Sequence, residues 1–188
     1  MTESKIVRPL RPPALTPELE ELLRSSKLYR EGRPLLVFNA LLHHPRAMRA
    51  IAGKLNWGSE AALTDREREL VILRTVARVR CAQEISVHRV VAERAAGLSA
   101  VEVAAILGEI NGPEFDAREA AFLLIADALC KTDTLNDEDW SRVAHVLTIP
   151  ELIEAVVVVG YYRMVGGLQN ALGVPAEEAF ELPDGQAR

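Results

Sequence analysis

The chain has 188 residues, a length that fits one domain with a sizeable buried core. Hydrophobic residues make up 49% of the chain and aromatic residues only 5%, which favours packed helices over sandwiched sheets. The formal net charge of -5 argues against a nucleic-acid-binding surface, which needs clustered Lys and Arg. No apolar run reaches transmembrane length and no signal-peptide pattern is present, so we expect a cytoplasmic protein that does not bind membranes.

The N-terminal residues 1–15 carry three prolines among charged residues, which predicts an extended arm. Such an arm is either disordered or laid over a neighbouring subunit. A helical pattern then begins at Thr16, with Pro17 at the first helical position. We predict a single helical domain over 16–178 and a loose tail over 179–188.

Helical periodicity continues along the whole domain, and no stretch alternates as a strand would. The strongest start signal is Thr64-x-x-Glu67, a capping box that precedes an apolar helix. Gly97 is expected to end the next helix, over residues 81–96. Including the helix after Thr16, about eight or nine helices are predicted, the others near residues 34–43, 45–58, 64–79, 81–96, 99–107, 117–130, from 136 and 151–172.

A weak internal repeat is visible in the layout of the helices. Residues 65–107 resemble residues 116–158 in layout when Arg68–Glu69 is set on Arg118–Glu119, and one cysteine follows in each half. This alignment predicts two related helical halves that pack together. Chance similarity between two helices rich in alanine and valine would produce the same match.

Three residues with reactive side chains lie on one face of the helix that starts near residue 81. Cys81, Glu84 and His88 follow one another at steps of three and four. Glu84 and His88 are neighbours on the helix surface, and a carboxylate beside an imidazole raises its pKa and orients its ring. Such a pair is suited to general acid–base work. An exposed surface ion pair would have the same spacing.

Glu69 lies on the apolar stripe of the preceding helix, together with Ile72 and Val76. A carboxylate that faces a core must be paired, protonated or functional. Because the link between the two helices is short, we expect Glu69 to approach Glu84 and His88 in a partly buried acid–base cluster. The alternative is a residue that only complements the dipole of its helix.

The segments 63–70, 81–88 and 95–99 together resemble the core of the carboxymuconolactone decarboxylase superfamily. That superfamily includes gamma-carboxymuconolactone decarboxylase and alkyl hydroperoxidase D, and the resemblance covers roughly residues 36–172. It implies an all-α, alkyl hydroperoxidase D-like helical bundle. It also implies a homo-oligomer, trimeric or hexameric, that acts on a small molecule.

The hydroperoxidase motif consists of a Glu, then Cys-x-x-Cys, then a His. The resemblance places Glu69, Cys81 and His88 on the Glu, the first Cys and the His. The second Cys position holds Glu84, so no dithiol can form within the motif. Cys81 is therefore either a reactive thiol that works alone or a small buried hydrophobe, and Cys130 is expected in the core.

The leading functional hypothesis is cofactor-free acid–base catalysis, a decarboxylation or related proton transfer, on a small carboxylate or lactone. His88 would move the proton, Glu84 would tune and orient it, and Glu69 would be a second acid or base. A second hypothesis is a peroxiredoxin-like antioxidant that uses Cys81 alone with an external thiol. A third is a non-catalytic oligomeric module that binds a ligand. The resemblance implies no cofactor and no metal, although two carboxylates and an imidazole suit several divalent metals.

Overall fold

The computed structural model describes residues 12–24, 35–51, 60–108, 111, 115–178 and 180. Within these residues the chain forms α-helices and no strand, which confirms the predicted all-helical fold. The helices are α1 (Pro17–Arg24), α2 (Leu36–Leu41), α3 (Pro45–Ile51), α4 (Asp65–Arg78), α5 (Ala82–Arg94), α6 (Ala100–Leu107), α7 (Ala117–Thr132), α8 (Asp137–Val146) and α9 (Ile149–Leu172). Most of the predicted arm, most of the predicted tail and residues 52–59 lie outside the described residues.

Local side-chain chemistry fixes where the helices begin. The hydroxyl of Thr64 accepts a hydrogen bond from the Glu67 N–H at 3.2 Å, and the Glu67 carboxylate accepts one from the Thr64 N–H at 2.9 Å. This is the predicted capping box, and it opens α4. The predicted caps of α6 and α8 are also confirmed, at Ser99 and Asn136. The last helix begins at Ile149, two residues before the predicted start at residue 151, because Thr148 is its cap.

Helix α4 is the central element of the bundle and contacts α5, α6, α7 and α9. Its buried side chains include Leu70, Leu73 and Val76, all with no exposed surface. The main apolar core lies where α4 meets α7, α8 and α9, and it includes the fully buried Phe122 and Ile125. Among the described helices, none combines the length and apolar composition that crossing a bilayer requires.

Arginine side chains tie the two halves of the bundle together near the starts of their helices. Arg66, at the second position of α4, contacts Glu119 at 2.8 Å and also pairs with Glu102. Glu102 and Glu119 are the capping-box glutamates of α6 and α7. The second half repeats this arrangement with Arg118, Glu67 and Glu151.

The reciprocal arginine pairs show how the two halves correspond. Arg66 and Arg118 each occupy the second position of a helix, so the cap of α4, Thr64, matches the cap of α7, Asp116. The alignment predicted from the sequence set Arg68–Glu69 on Arg118–Glu119, and it is out of register by two residues. Matching residue types gave the wrong alignment, because the distance of a residue from the helix cap determines which neighbour it faces.

Close approach of α9 to the turn between α4 and α5 depends on Gly166. A β-carbon at this position would lie 2.8 Å from Val79 Cγ2 and 3.3 Å from Cys81 Cβ. We expect Gly166→Ala to lower the free energy of unfolding by about 1–3 kcal/mol, because a packed side chain must move. Urea-induced unfolding measures the change.

The neighbouring glycine of α9 provides a matched control. A β-carbon on Gly167 would have no atom within 4 Å. Gly167→Ala should therefore raise the free energy of unfolding, by up to about 1 kcal/mol, since alanine is the better helix former. Equal effects of Gly166→Ala and Gly167→Ala would contradict the close approach.

Candidate active site

The candidate site lies between α4, α5 and α9. Glu69 comes from α4, Glu84 and His88 lie one turn apart on α5, and Cys81 is the cap residue before α5. Between α4 and α5 the chain reverses through Arg80, which has a positive φ of 56°. The side chains are buried, with 6% of Glu69, 8% of Glu84 and 8% of His88 exposed.

The imidazole of His88 is held between two carboxylates. Its Nδ1 lies 2.9 Å from Glu69 Oε2 and 3.1 Å from Glu69 Oε1. Its Nε2 lies 3.5 Å from Glu84 Oε2, at the limit of a hydrogen bond. The structure thus brings together the three residues that the sequence placed on facing helix surfaces. Glu69 makes a short hydrogen bond to Nδ1, and Glu84 makes only a long contact with Nε2.

The charge state of His88 follows from these contacts. Burial lowers the pKa of its imidazole, but the charge and hydrogen bond of Glu69 and the weaker contributions of Glu84 act in the opposite direction and prevail. The result is a His88 pKa raised from 6.5 to about 10. His88 is therefore an imidazolium at neutral pH, and both of its ring nitrogens carry protons. This agrees with the extra proton expected for two carboxylates and an imidazole in a dry cluster.

Helix α9 adds two residues that the sequence analysis did not place in the site. The Gln169 amide nitrogen donates to Glu84 Oε1, and the amide oxygen accepts from the Cys81 thiol at 3.6 Å. The ring of Tyr162 lies edge-on to His88 with centroids 5.0 Å apart. A signal for Gln169 existed, since it lies on the buried stripe of α9 as Glu69 lies on that of α4.

Cys81 lies at the far end of this chain of contacts, and only 1% of it is exposed. Burial raises the pKa of its thiol, and the charge of Glu84 raises it further, while backbone N–H groups at the start of α5 partly oppose the shift. Cys130 lies on α7, and both cysteines are free.

The second half of the bundle offers an internal comparison for the site. Glu69 is the fifth residue after the cap of α4, and the fifth after the cap of α7 is Ala121. His88 is the seventh residue after the cap of α5, and the seventh after the cap of α8 is Val143. Ala121 and Val143 are both buried in the main core. Filling these positions therefore needs no polar group, which favours a chemical role for Glu69 and His88.

Solved structures share this fold at low sequence identity. A peroxidase-related protein from Ralstonia eutropha JMP134 with an alkylhydroperoxidase AhpD core has a TM-score of 0.72 and 20% identity, over 88% of each chain. A peroxidase-related protein from Silicibacter sp. TM1040 has a TM-score of 0.75 and 17% identity, over 95% of this chain and 96% of that one. A search of curated proteins returns no significant match.

The sequence model of the Carboxymuconolactone decarboxylase family matches residues 43–128, which contain Glu69, Cys81, Glu84 and His88. Over this segment the chain is similar to the carboxymuconolactone decarboxylase family, and its fold is that of alkyl hydroperoxidase D-like proteins. The matched segment ends before α9, so Gln169 comes from outside it. Within this fold, the chain combines a glutamate at the second cysteine position of the hydroperoxidase motif with a buried glutamine that holds it.

Two further features delimit the candidate site. A concavity of about 440 Å³ lies between α7 and α8, lined partly by Arg142 and His145, and it contains none of the four predicted site residues. Across the described part of the chain, no group of three or more His, Cys, Asp or Glu residues is arranged to hold a metal ion. In the Glu69–His88–Glu84 cluster both ring nitrogens face carboxylates, so neither offers a lone pair to a metal.

Proposed function

We propose that the protein is an enzyme that uses cofactor-free acid–base chemistry for a decarboxylation or a related proton transfer on a small carboxylate or lactone. One observation carries this proposal: a buried imidazolium, His88, is held between the carboxylates of Glu69 and Glu84. An acid and a base side by side in a dry site are the elements of general acid–base catalysis. Similarity to the carboxymuconolactone decarboxylase family supports the substrate class.

The geometry favours a definite division of roles in this mechanism. Both carboxylate oxygens of Glu69 are directed at His88 Nδ1, so Glu69 orients the ring and stabilises its charge. Glu84 Oε1 is occupied by Gln169, whereas Glu84 Oε2 has only the 3.5 Å contact with His88. His88 Nε2–H is thus the proposed acid and Glu84 Oε2 the proposed base. This reverses the roles that the sequence suggested for the two glutamates.

The proposed decarboxylation needs no added oxidant or reductant. The bond between the carboxyl carbon and its neighbour breaks, carbon dioxide leaves, and the electron pair stays on the neighbour as an enolate of the lactone carbonyl. The His88 imidazolium stabilises this charge and then gives its Nε2 proton to the carbon. Solvent returns a proton to His88. In a related proton transfer, Glu84 Oε2 removes a proton from one carbon and His88 delivers one to another atom.

A peroxidase-like function is the second candidate, because two of the solved structures of this fold belong to proteins described as peroxidase-related. The surroundings of Cys81 argue against it. Its thiol is buried, its pKa is raised, and the motif has no second cysteine to resolve a sulfenate. We propose a cytoplasmic location, where Cys81 and Cys130 would remain thiols.

A substrate screen on the wild type and on His88→Ala tests the proposal. We expect the wild type to turn over a small lactone or carboxylate, and His88→Ala to lower the rate by about 10²–10⁴-fold. His145→Ala is the matched control, since His145 is exposed on α8 and far along the chain from the site. Circular dichroism verifies that each variant is folded.

The same screen includes organic hydroperoxides and a sulfenate-trapping reagent. Hydroperoxide consumption that requires Cys81 and survives His88→Ala would establish the peroxidase function instead. Binding of a carboxylate or lactone without any turnover would establish a ligand-binding module. Either result would overturn the acid–base proposal.

The exposed face of α9 supports the proposed homo-oligomer, trimeric or hexameric. The most exposed residues of this 24-residue helix are uncharged, and the side chain of Arg163, which is 36% exposed, pairs with Asp133. Of the four consecutive valines, Val158 and Val159 are buried in the core, whereas 39% of Val156 and 41% of Val157 remain exposed. The exposed face consists mainly of Ile149, Ile153, Val156, Val157, Gly160 and Met164. An uncharged face of this kind can pack against a second copy without burying a charge.

Placing a charge on this face should dissociate the oligomer. We expect Val157→Glu to lower the mass in solution, measured by light scattering at micromolar concentration, because burying the new carboxylate opposes association. Val101→Glu is the control, since Val101 is 56% exposed on a different helix, α6. A monomeric wild type, or the same mass for all three proteins, would contradict the proposal.

A further inference from the structure

We propose that Gln169 and Cys81 are positioning residues, in which the thiol fixes the orientation of the Gln169 amide and the amide holds the Glu84 carboxylate beside His88. The inference rests on the proposed function and extends it to two residues of the described structure. A continuous line of contacts carries it. Cys81 Sγ donates to Gln169 Oε1, Gln169 Nε2 donates to Glu84 Oε1, and Glu84 Oε2 faces His88 Nε2.

The donors and acceptors around the Gln169 amide allow it only one orientation. An ionised carboxylate only accepts hydrogen bonds, so Glu84 requires the NH₂ end of Gln169. The amide oxygen then faces Cys81 and requires a donor, which a thiol provides and a thiolate does not. Gln169 has no exposed surface and Cys81 only 1%, so bulk water is kept from either partner. Cys81 is therefore needed as a thiol, and the raised pKa of that thiol keeps it in this form.

The docking of α9 keeps Gln169 at this place. Gly166, one turn before Gln169, allows α9 to approach the side chains of Val79 and Cys81 closely, since a β-carbon there would lie 2.8 Å and 3.3 Å from them. On the other side, the Asn170 amide donates to the carbonyl of Val79 at 2.8 Å. These two contacts flank Gln169 and anchor α9 to the turn that precedes α5. The position of the amide is thus set by backbone packing, and its orientation by Cys81.

Loss of the Gln169 amide should change the pKa of His88. Without Gln169, the buried Glu84 carboxylate loses the hydrogen bond from the Gln169 amide and either takes up a proton or turns away. Both outcomes remove negative charge from the neighbourhood of His88 Nε2. The pKa of His88 should then fall, although Glu69 on α4 still holds Nδ1 and Tyr162 on α9 still covers the ring. A residue that only fills space would leave this pKa where it is.

Titration of His88 by nuclear magnetic resonance tests the inference without requiring a substrate. The chain has four histidines, and the spectrum of His88→Gln identifies the His88 signal. We expect Cys81→Ala and Gln169→Leu each to lower the His88 pKa by about one unit, which is the effect of one lost hydrogen bond to a charged group. Cys81→Ser should keep the wild-type value, because its hydroxyl also donates. Cys130→Ala and Gln83→Leu are the matched controls.

The Cys81 variants keep the test decisive if Gln169→Leu does not fold, because alanine and serine fit the space of the thiol. Equal His88 pKa values in the wild type and Cys81→Ala, or in Cys81→Ser and Cys81→Ala, would overturn the inference. The proposed function would survive that result as long as wild-type His88 titrates far above 6.5 and His88→Ala abolishes turnover. An ordinary pKa for wild-type His88 would instead overturn the proposed function.

Discussion

For a proton-transfer reaction, Glu84→Gln is expected to lower kcat by about 10²–10⁴-fold at every pH, whereas Glu69→Gln is expected to move the pH dependence of the rate. The difference follows from the geometry of the two carboxylates. Glu84 Oε2 is the oxygen left free to act on a substrate, so the amide removes the base itself. Glu69 makes the largest favourable contribution to the raised pKa of His88, so its loss shifts the imidazole toward its ordinary value.

Glu69→Gln should move the fall in rate to lower pH. The active form contains the His88 imidazolium, so the rate falls as the pH rises through the His88 pKa of about 10. Lowering this pKa brings the fall in rate to lower pH. Profiles of kcat/KM from pH 6 to pH 10 measure the shift, with a substrate found in the screen. Glu93→Gln, an exposed change on the same helix as Glu84, should leave both the rate and the profile unchanged.

Two results would contradict this assignment of roles. If Glu84→Gln retained the rate within tenfold while Glu69→Gln removed it at all pH values, Glu69 would be the base. If both variants shifted the profile alike, neither carboxylate would have a distinct role. In either case the buried imidazolium would remain, because its charge depends on the sum of the two carboxylates.

The helices of this fold could be predicted from the sequence because their ends depend on nearby residues. The Thr64 and Glu67 side chains form their box within one turn, and Gly97 ends α5 with a φ of 70° that favours glycine. The register between the two halves could not be predicted in this way. It depends on Arg66 and Arg118 reaching across to helices that start more than 30 residues away in the chain.

The site residues also differ in how far the sequence predicts them. Glu84 and His88 could be identified because helical spacing alone makes them neighbours, and Glu69 because it interrupts an apolar stripe. Gln169 also interrupts one, but its partner is 85 residues away and is set by the packing of α9 on α5. The roles of the two glutamates could be assigned only from interatomic distances. His88 Nδ1 lies 2.9 Å from Glu69 Oε2, whereas His88 Nε2 lies 3.5 Å from Glu84 Oε2, so the Glu84 carboxylate is the freer one.

Stability should fall as the pH rises from neutral, and His88 should cause most of the fall. Its pKa is about 10 in the folded protein against 6.5 for the ordinary group. A folded pKa above the unfolded one means that the stabilisation is complete below pH 6.5 and disappears as the pH rises through 10. The whole contribution is roughly 3–5 kcal/mol, of which about 2–3 kcal/mol should be lost between pH 7 and pH 9.

Urea-induced unfolding at pH 7, 8 and 9 measures this loss, and two variants show where it comes from. His88→Gln should be less stable than the wild type at pH 7, because it leaves Glu69 and Glu84 buried without a cation. Its stability should also change much less with pH, since the group that loses its proton is absent. His145→Gln should keep the wild-type slope, because His145 is exposed on α8. A slope that persists in His88→Gln would show that the imidazole does not hold its proton in the folded protein, and the proposed acid would be lost with it.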